Sequence, residues 1–205
     1  MVKPLSRREQ VREETIEKIL SIAREEMQAN GVAALSLGVI AKRLGMRTPS
    51  LYTYFDSKND IYDELFRRGF LEFGRYMDER PHQDGTLREN LESSMNTYMG
   101  FAQENPDLYQ LMFQRPVPGF VPSEKSMAVS LARLDMSRSQ FTHIWESNEI
   151  TVDMTFEEAR DLFIAFQHGL TELHLANNPE LPVGQGRFGK LISQAVQMVL
   201  DAWQK

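Results

Sequence analysis

The chain has 205 residues, of which 41% are hydrophobic and 25% charged, a composition typical of a globular protein with one sizeable core or two small ones. The absence of cysteine excludes disulfides and thiol chemistry and fits a reducing cytoplasm. No apolar run approaches the roughly 18 residues that a membrane helix needs, so no membrane partner is expected. The net charge of −6 argues against a nucleic-acid-binding protein, yet residues 1–58 carry a balance of +3 and residues 59–205 one of −9, which fits a nucleic-acid-binding module on an acidic body.

Apolar residues recur at helical spacing along nearly the whole chain, and no long run of alternating apolar and polar residues predicts a strand. We therefore predict an all-α protein. Capping residues, glycines and prolines give the ends of its helices. The predicted helices span residues 12–30, 37–45, 48–55, 58–80, 86–104, 106–114, 123–148, 155–177 and 184–204.

The apolar pattern breaks at residues 81–85, where proline and glycine flank polar side chains. This break predicts a boundary between two domains. We expect a three-helix DNA-binding domain over residues 1–58, a connecting helix over about 58–80, and a C-terminal helical domain over residues 81–205.

Residues 36–58 have the pattern of a helix-turn-helix. Ser36 is a suitable N-cap for a short helix that ends at Gly45, and Thr48 with Pro49 is predicted to start the next helix as its cap and first residue. That second helix begins with polar side chains, which is what a recognition helix presents to base edges in the major groove. The residues predicted to form the small core are Ile40, Ala41, Leu44, Met46 and Leu51.

The same segment resembles the DNA-binding domain of the TetR/AcrR family of bacterial regulators. The resemblance extends over about residues 12–66 and rests on residues at fixed spacing. Members of the family usually have histidine before the phenylalanine, where this chain has Tyr54, which keeps an aromatic ring with a polar tip. The matching positions are Ile40, Ala41, Gly45, Leu51, Tyr52, Tyr54, Phe55, Ser57 and Lys58.

The resemblance implies roles for individual side chains on DNA. Arg47 is the strongest candidate for reading a base, because arginine makes the commonest bidentate contact, to guanine. Three further positions share its end of the recognition helix: Thr48, Pro49 and Ser50. Phosphate or backbone contacts are implied for Ser36, Lys42, Arg43, Tyr52, Thr53, Tyr54 and Lys58. An N-terminal arm is also implied, with Lys3, Arg7 and Arg8.

Some of these positions have a purely structural alternative. Tyr52 and Phe55 are also compatible with the core, and Lys42 and Arg43 with an ordinary solvated face. The sequence alone leaves both readings open.

The C-terminal part lacks a catalytic or metal-binding pattern, so we predict neither an enzyme nor a cofactor. His168 and Glu172 stand one helical turn apart, but two ligands do not make a metal site. Aromatic and methionine side chains are abundant, either as ordinary core or as an adaptable pocket for a small-molecule effector. The resemblance favours the pocket, because this part of TetR-like proteins senses a ligand. The candidate ligand-binding residues are Met95, Tyr98, Met99, Tyr109, Met112, Phe113, Phe166 and His168.

A second resemblance concerns the family subgroup whose C-terminal domain has a Trp-His-Gly signature. Residues 106–113, followed by His168 and Gly169, are similar to that subgroup. The tryptophan is absent, and Phe163 and Ile164 occupy its neighbourhood.

The last two predicted helices carry long apolar stripes. In the family, two such helices pair with their copies in a four-helix dimer interface. A two-fold dimer presents its recognition helices one DNA turn apart, about 34–36 Å, and reads a palindromic operator. The candidate interface residues are Phe163, Leu170, Leu173, Ile192, Ala195, Val199 and Trp203.

These features predict a homodimeric, ligand-responsive repressor that binds double-stranded DNA and is released by an unidentified small molecule. One alternative is a helical small-molecule-binding protein or enzyme that retains a DNA-binding module. Another is a non-specific DNA-coating protein, against which the acidic C-terminal part argues.

Overall fold

A computed structural model describes residues 6–79, 85–146, 151 and 153–203, without the side chains of residues 136–141 and 143–146. The predicted boundary at residues 81–85, apart from Gly85, lies outside this description, as does Lys3 of the proposed arm. The described residues are helical and contain no strand, which confirms the predicted fold class. None of their helices is long and apolar enough to cross a membrane.

The helices follow one another with short connections. The N-terminal part contains α1 (Arg7–Asn30), a 3₁₀ turn (Val32–Ala34), α2 (Leu37–Arg43), α3 (Thr48–Leu51) and α4 (Lys58–Asp78). The remainder contains α5 (Leu87–Glu104), α6 (Pro106–Tyr109), a π-helical turn (Gln110–Gln114), α7 (Glu124–Glu146), α8 (Phe156–Asn177), α9 (Gly186–Gly189) and α10 (Ile192–Trp203).

Three helix starts are fixed by capping boxes, in which a hydroxyl and a glutamate satisfy each other's backbone amides. Ser6 and Glu9 start α1 in this way, so the helix begins at Arg7 and not at residue 12 as predicted. The other two boxes start α5, with Thr86 and Glu89, and α8, with Thr155 and Glu158.

Two other predicted helices were wrong in extent. The third was expected to reach residue 55, but α3 ends at Leu51 after a single turn, and the chain leaves it in tight turns. Arg47, not Thr48, is the residue before its first turn, since Arg47 still has an extended backbone. The last predicted helix divides into α9 and α10.

The chain forms two compact units. The first contains residues 1–69 and 106–127, and the second contains residues 70–105 and 128–205. This division differs from the predicted boundaries at residues 58 and 81.

The first unit includes α6 because a buried polar contact ties α6 to α1. The carboxylate of Asp107 is fully buried and accepts hydrogen bonds from Arg24, at 2.8 and 3.3 Å, and from the amide of Gln28 at 2.9 Å. Apolar periodicity does not report such a contact between residues distant in sequence.

The second unit is built around α5, α8 and α10. Its core contains residues of all three helices, among them Leu91, Ala159 and Val196, each fully buried. The methionine side chains of Met95 and Met99 and the rings of Phe163 and Trp203 belong to this same core.

Candidate nucleic-acid interface

The turn between α2 and α3 depends on one glycine. Gly45 has a φ of +67°, a left-handed conformation that glycine adopts without a steric penalty. Three backbone hydrogen bonds, from the amides of residues 44, 45 and 46 to carbonyls in α2, close the turn. Ile40 and Ala41 lie in the core beneath it. The predicted turn at Gly45 is therefore present.

We call residues 47–54 the recognition segment. Its single helical turn is fixed to the first unit by Leu51, which is 1% exposed. Arg47, Pro49 and Ser50 are exposed, and Thr48 is half-buried. The four predicted base readers therefore lie together on one short helix, with three of them open to solvent.

The residues that follow α3 are also accessible. Tyr52 is 50% exposed, which disfavours its alternative role in the core. Thr53 is exposed and Tyr54 is half-buried. Phe55 is half-buried, so it is less enclosed than its core interpretation predicts.

The predicted phosphate-binding residues outside the segment differ in their surroundings. Lys58, at the start of α4, is half-buried, and its ammonium lies 5.8 Å from the ring centre of Tyr62. Ser36 stands at the N-cap of α2, but its side chain makes no capping hydrogen bond. Its expected N-cap position is thus observed without the expected side-chain bond.

The two basic residues at the end of α2 also differ. Arg43 forms ion pairs with Glu25 and Glu26 of α1, and the hydrogen bond to Glu25 raises the pKa of the Arg43 guanidinium above its ordinary value. Lys42 is exposed. The surface pairing favours the alternative of an ordinary solvated face for Arg43.

Sequence reasoning missed Arg12 of α1. One Nη of Arg12 donates a hydrogen bond of 2.6 Å to the carbonyl oxygen of Thr53, and its guanidinium lies 5.3 Å from the ring centre of Tyr54. The two partners are about forty residues away along the chain, so no local spacing signal reveals the contact.

The candidate ligand-binding residues are divided between the two units. In the second unit the hydroxyl of Tyr98 lies 2.9 and 3.1 Å from the two ring nitrogens of His168, and Phe73 packs edge-on against Tyr98. Burial lowers the pKa of His168 from its ordinary value, against the opposing charge of Glu172. Met95 and Met99 are core residues, whereas Phe166 is 40% exposed.

The other three candidates belong to the first unit. Tyr109 is fully buried and its ring lies 5.4 Å from that of Phe113. Met112 lies against Gly69 of α4, where a Cβ atom would stand 2.6 Å from the methionine sulfur.

The predicted dimer residues are mostly used inside the second unit. Phe163, Ile192, Ala195, Val199 and Trp203 are buried, and Leu170 packs against their cluster. Only Leu173, at 44%, is substantially exposed. The apolar side chains that these helices leave open are instead Leu162, Phe166 and Met198. The predicted interface residues thus lie mostly on the face of these helices that packs against α5.

Among the described residues, no three or more acidic or histidine side chains come together in a way that could hold a metal ion.

Known proteins resemble the part of the chain that contains the helix-turn-helix. Residues 19–65 match the model of the bacterial regulatory proteins of the tetR family, and this range extends from the second half of α1 to the second turn of α4. An HTH-type transcriptional regulator of Mycobacterium tuberculosis is 26% identical over 131 residues, which cover 62% of this chain and 55% of the relative. The chain thus spans about half the length of the curated relatives that it matches first.

Solved structures resemble the fold over nearly the whole chain. A TetR family transcriptional regulator from Chloroflexus aurantiacus has a TM-score of 0.70 at 19% identity, covering 94% of both chains. FadR from Bacillus subtilis, solved in complex with stearoyl-CoA, has a TM-score of 0.66 at 17% identity, covering 91% of this chain and 98% of FadR. At these identities the likeness concerns the fold. The match of residues 19–65 assigns the helix-turn-helix segment to the bacterial regulatory proteins of the tetR family, and the solved structures show that nearly the whole chain shares the fold of such proteins.

Proposed function

We propose that this protein is a DNA-binding transcriptional regulator that reads a two-fold operator as a homodimer and responds to a small molecule. One observation carries the proposal. The recognition segment keeps a single side chain, Leu51, in the core and leaves Arg47, Pro49 and Ser50 open to solvent on one helical turn. A polar turn held by one apolar anchor is suited to enter the major groove.

Base reading and positioning are separate tasks in this proposal. Arg47 precedes the first turn and offers the planar guanidinium that matches guanine. Tyr52, Thr53 and Lys58 set the register on phosphates, which carry no sequence information themselves. Ser36 and Lys42 add to this backbone set, whereas Arg43 serves mainly the contact with α1.

A second copy of the chain is the proposed occupant of the exposed apolar face of α8 and α10. Leu162, Phe166 and Leu173 follow at spacings of four and seven residues, so they form one stripe along α8. Met198 of α10 is 62% exposed and adds a flexible apolar side chain. The opposite face of α8 already packs in the core of the second unit. An exposed apolar stripe on such a helix favours association through a two-fold interface.

Oligomeric state in solution tests this part. Phe166→Glu should convert the dimer to a monomer in sedimentation experiments, because it places a charge within the stripe. Leu131→Glu on α7 is the control, since it places the same charge at another exposed apolar residue, with 54% of Leu131 exposed against 40% of Phe166. A wild-type monomer at micromolar concentration would rule out the proposed interface.

The effector is proposed to bind the second unit near Tyr98 and His168. Their hydroxyl and imidazole are the polar groups of an aromatic neighbourhood that includes Phe73. The ligand then acts by binding one conformer more tightly than the other, which changes the affinity for DNA. Stearoyl-CoA is the first probe to use, because FadR, which shares the fold, was solved with it.

A gel-shift experiment tests the whole proposal. Wild-type protein should retain DNA from upstream of its own gene at physiological salt and release random DNA of equal length. Equal retention of both would indicate a non-specific DNA-coating protein, and retention of neither would rule out DNA binding as the function. Release of the operator by stearoyl-CoA or another small molecule supports repression with an effector.

A further inference from the structure

We propose that Arg12 is a positioning residue that holds the C-terminal end of the recognition segment in its DNA-reading geometry. This inference rests on the proposed function, because it concerns how the same segment reads DNA. Arg12 lies on α1, outside the helix-turn-helix, and has no role in the family resemblance set out above. Its side chain reaches both the carbonyl oxygen of Thr53 and the ring of Tyr54.

The recognition segment needs support from outside because it is short. α3 has only four residues, and a helix of one turn has almost no intrinsic stability, since nucleation is costly. No side chain caps its N-terminus. After Leu51 the chain continues through turns in which the amides of residues 52–55 bond to carbonyls of residues 49–51.

Arg12 supplies that support where the turns end. The carbonyl of Thr53 lies beyond the last of these local bonds, and the guanidinium of Arg12 donates to it at 2.6 Å. The same guanidinium lies over the ring of Tyr54 at 5.3 Å, so one planar group fixes both a backbone oxygen and an aromatic face. A cation at the C-terminal end of a helical segment is also favoured by the helix dipole.

The capping box of α1 makes this contact reliable. Ser6 and Glu9 start α1 at Arg7, which places Arg12 within the hydrogen-bonded helix. If α1 began at residue 12, as the apolar pattern alone predicts, Arg12 would lie at a fraying end. The side chain therefore projects from a hydrogen-bonded helix toward the turns that follow α3.

Positioning has a different signature from phosphate contact. A phosphate contact weakens binding to every DNA sequence about equally when it is lost, and it reduces the slope of log K against log salt by about 0.9. A positioning residue changes how well the base readers fit their operator, so its loss lowers the preference for the operator over random DNA. It also changes the free protein, in which no phosphate is present.

The test compares Arg12→Ala with Lys18→Ala. Both remove one positive charge from the exposed surface of α1, but no contact of Lys18 with the recognition segment is found among the described residues. In the free protein, Arg12→Ala should speed hydrogen exchange of the Tyr54 and Phe55 amides roughly three- to tenfold, as expected for a lost exposed cation–π contact and charged hydrogen bond. Lys18→Ala should leave the exchange of those amides unchanged.

On DNA, Arg12→Ala should lower the ratio of operator to random-DNA affinity by a similar factor, with little change in the salt slope. Arg12→Lys keeps the charge and one donor but loses the planar group, so its effect should be intermediate. Unchanged amide exchange, or an equal loss on all DNA with a lower salt slope, would overturn the proposal. If wild-type protein does not discriminate between DNA sequences, the proposed function fails, while the exchange experiment still tests Arg12.

Discussion

The substitution Asp107→Ala tests how α6 is held in the first unit. It removes a carboxylate whose side chain is fully buried, together with three hydrogen bonds, two of them from the guanidinium of Arg24. Removing one partner of a buried ion pair costs about 3–5 kcal/mol, because the other charge is left without compensation. Arg24 is 26% exposed and regains part of its hydration, so we expect a loss of about 2–3 kcal/mol.

Urea unfolding followed by circular dichroism measures this loss as a lower midpoint at unchanged slope. Arg24→Ala should cost at least as much, since it leaves the fully buried carboxylate with only Gln28, and the double variant should cost less than the sum of the two. Arg43→Ala is the control, because its ion pairs with Glu25 and Glu26 lie on the surface, where solvent screens them, and should contribute little to the free energy of unfolding. A cost for Asp107→Ala no larger than that of the control would refute the reasoning.

Three further predictions follow from other contacts. Burial tends to raise the pKa of Glu64, but hydrogen bonds from Arg67 and Arg68 hold that pKa below its ordinary value. The ionised Glu64 therefore stabilises the fold above about pH 4.3, and this contribution is lost as the pH falls through the lower pKa of the folded state. The difference in the free energy of unfolding between wild type and Glu64→Gln should shrink over that pH range. Burial lowers the pKa of His168, so this histidine should titrate below about 6.5 by NMR and be neutral at pH 7. Its contribution to the free energy of unfolding should decline as the pH falls below about 6.5. A titration at or above about 6.5 would contradict the burial argument. Gly69→Ala should destabilise by about 1 kcal/mol, because the clash with the Met112 sulfur at 2.6 Å outweighs the gain in helix propensity, and a stabilised variant would show that Met112 moves aside freely.

Much of the fold was predicted from local sequence signals. The helix-turn-helix with its turn at Gly45 was predicted from residues that act within a few positions of one another. The capping box at Ser6 and Glu9 has the same local character and was readable from its spacing, although the apolar pattern led to a later start for α1.

What the sequence did not reveal depends on contacts between distant residues. The face of α8 that α5 covers decides whether Phe163 or Phe166 is available for another chain, and periodicity alone marks both as apolar. The same limit applies to Arg12 and Thr53 and to Arg24 and Asp107, which form polar contacts without any repeat in the sequence. α3 is a single turn in which Leu51 is the buried residue, a feature that the helix signals in its sequence do not reveal.

The sparse anchoring of the recognition segment has an evolutionary consequence. Arg47, Pro49 and Ser50 are exposed and contribute nothing to the core, so substitutions there have little effect on folding. The support comes from Leu51 and Arg12, whose side chains do not have to match any base. Gene duplicates of such a protein can therefore acquire new operator preferences through a few surface changes without first gaining stability elsewhere.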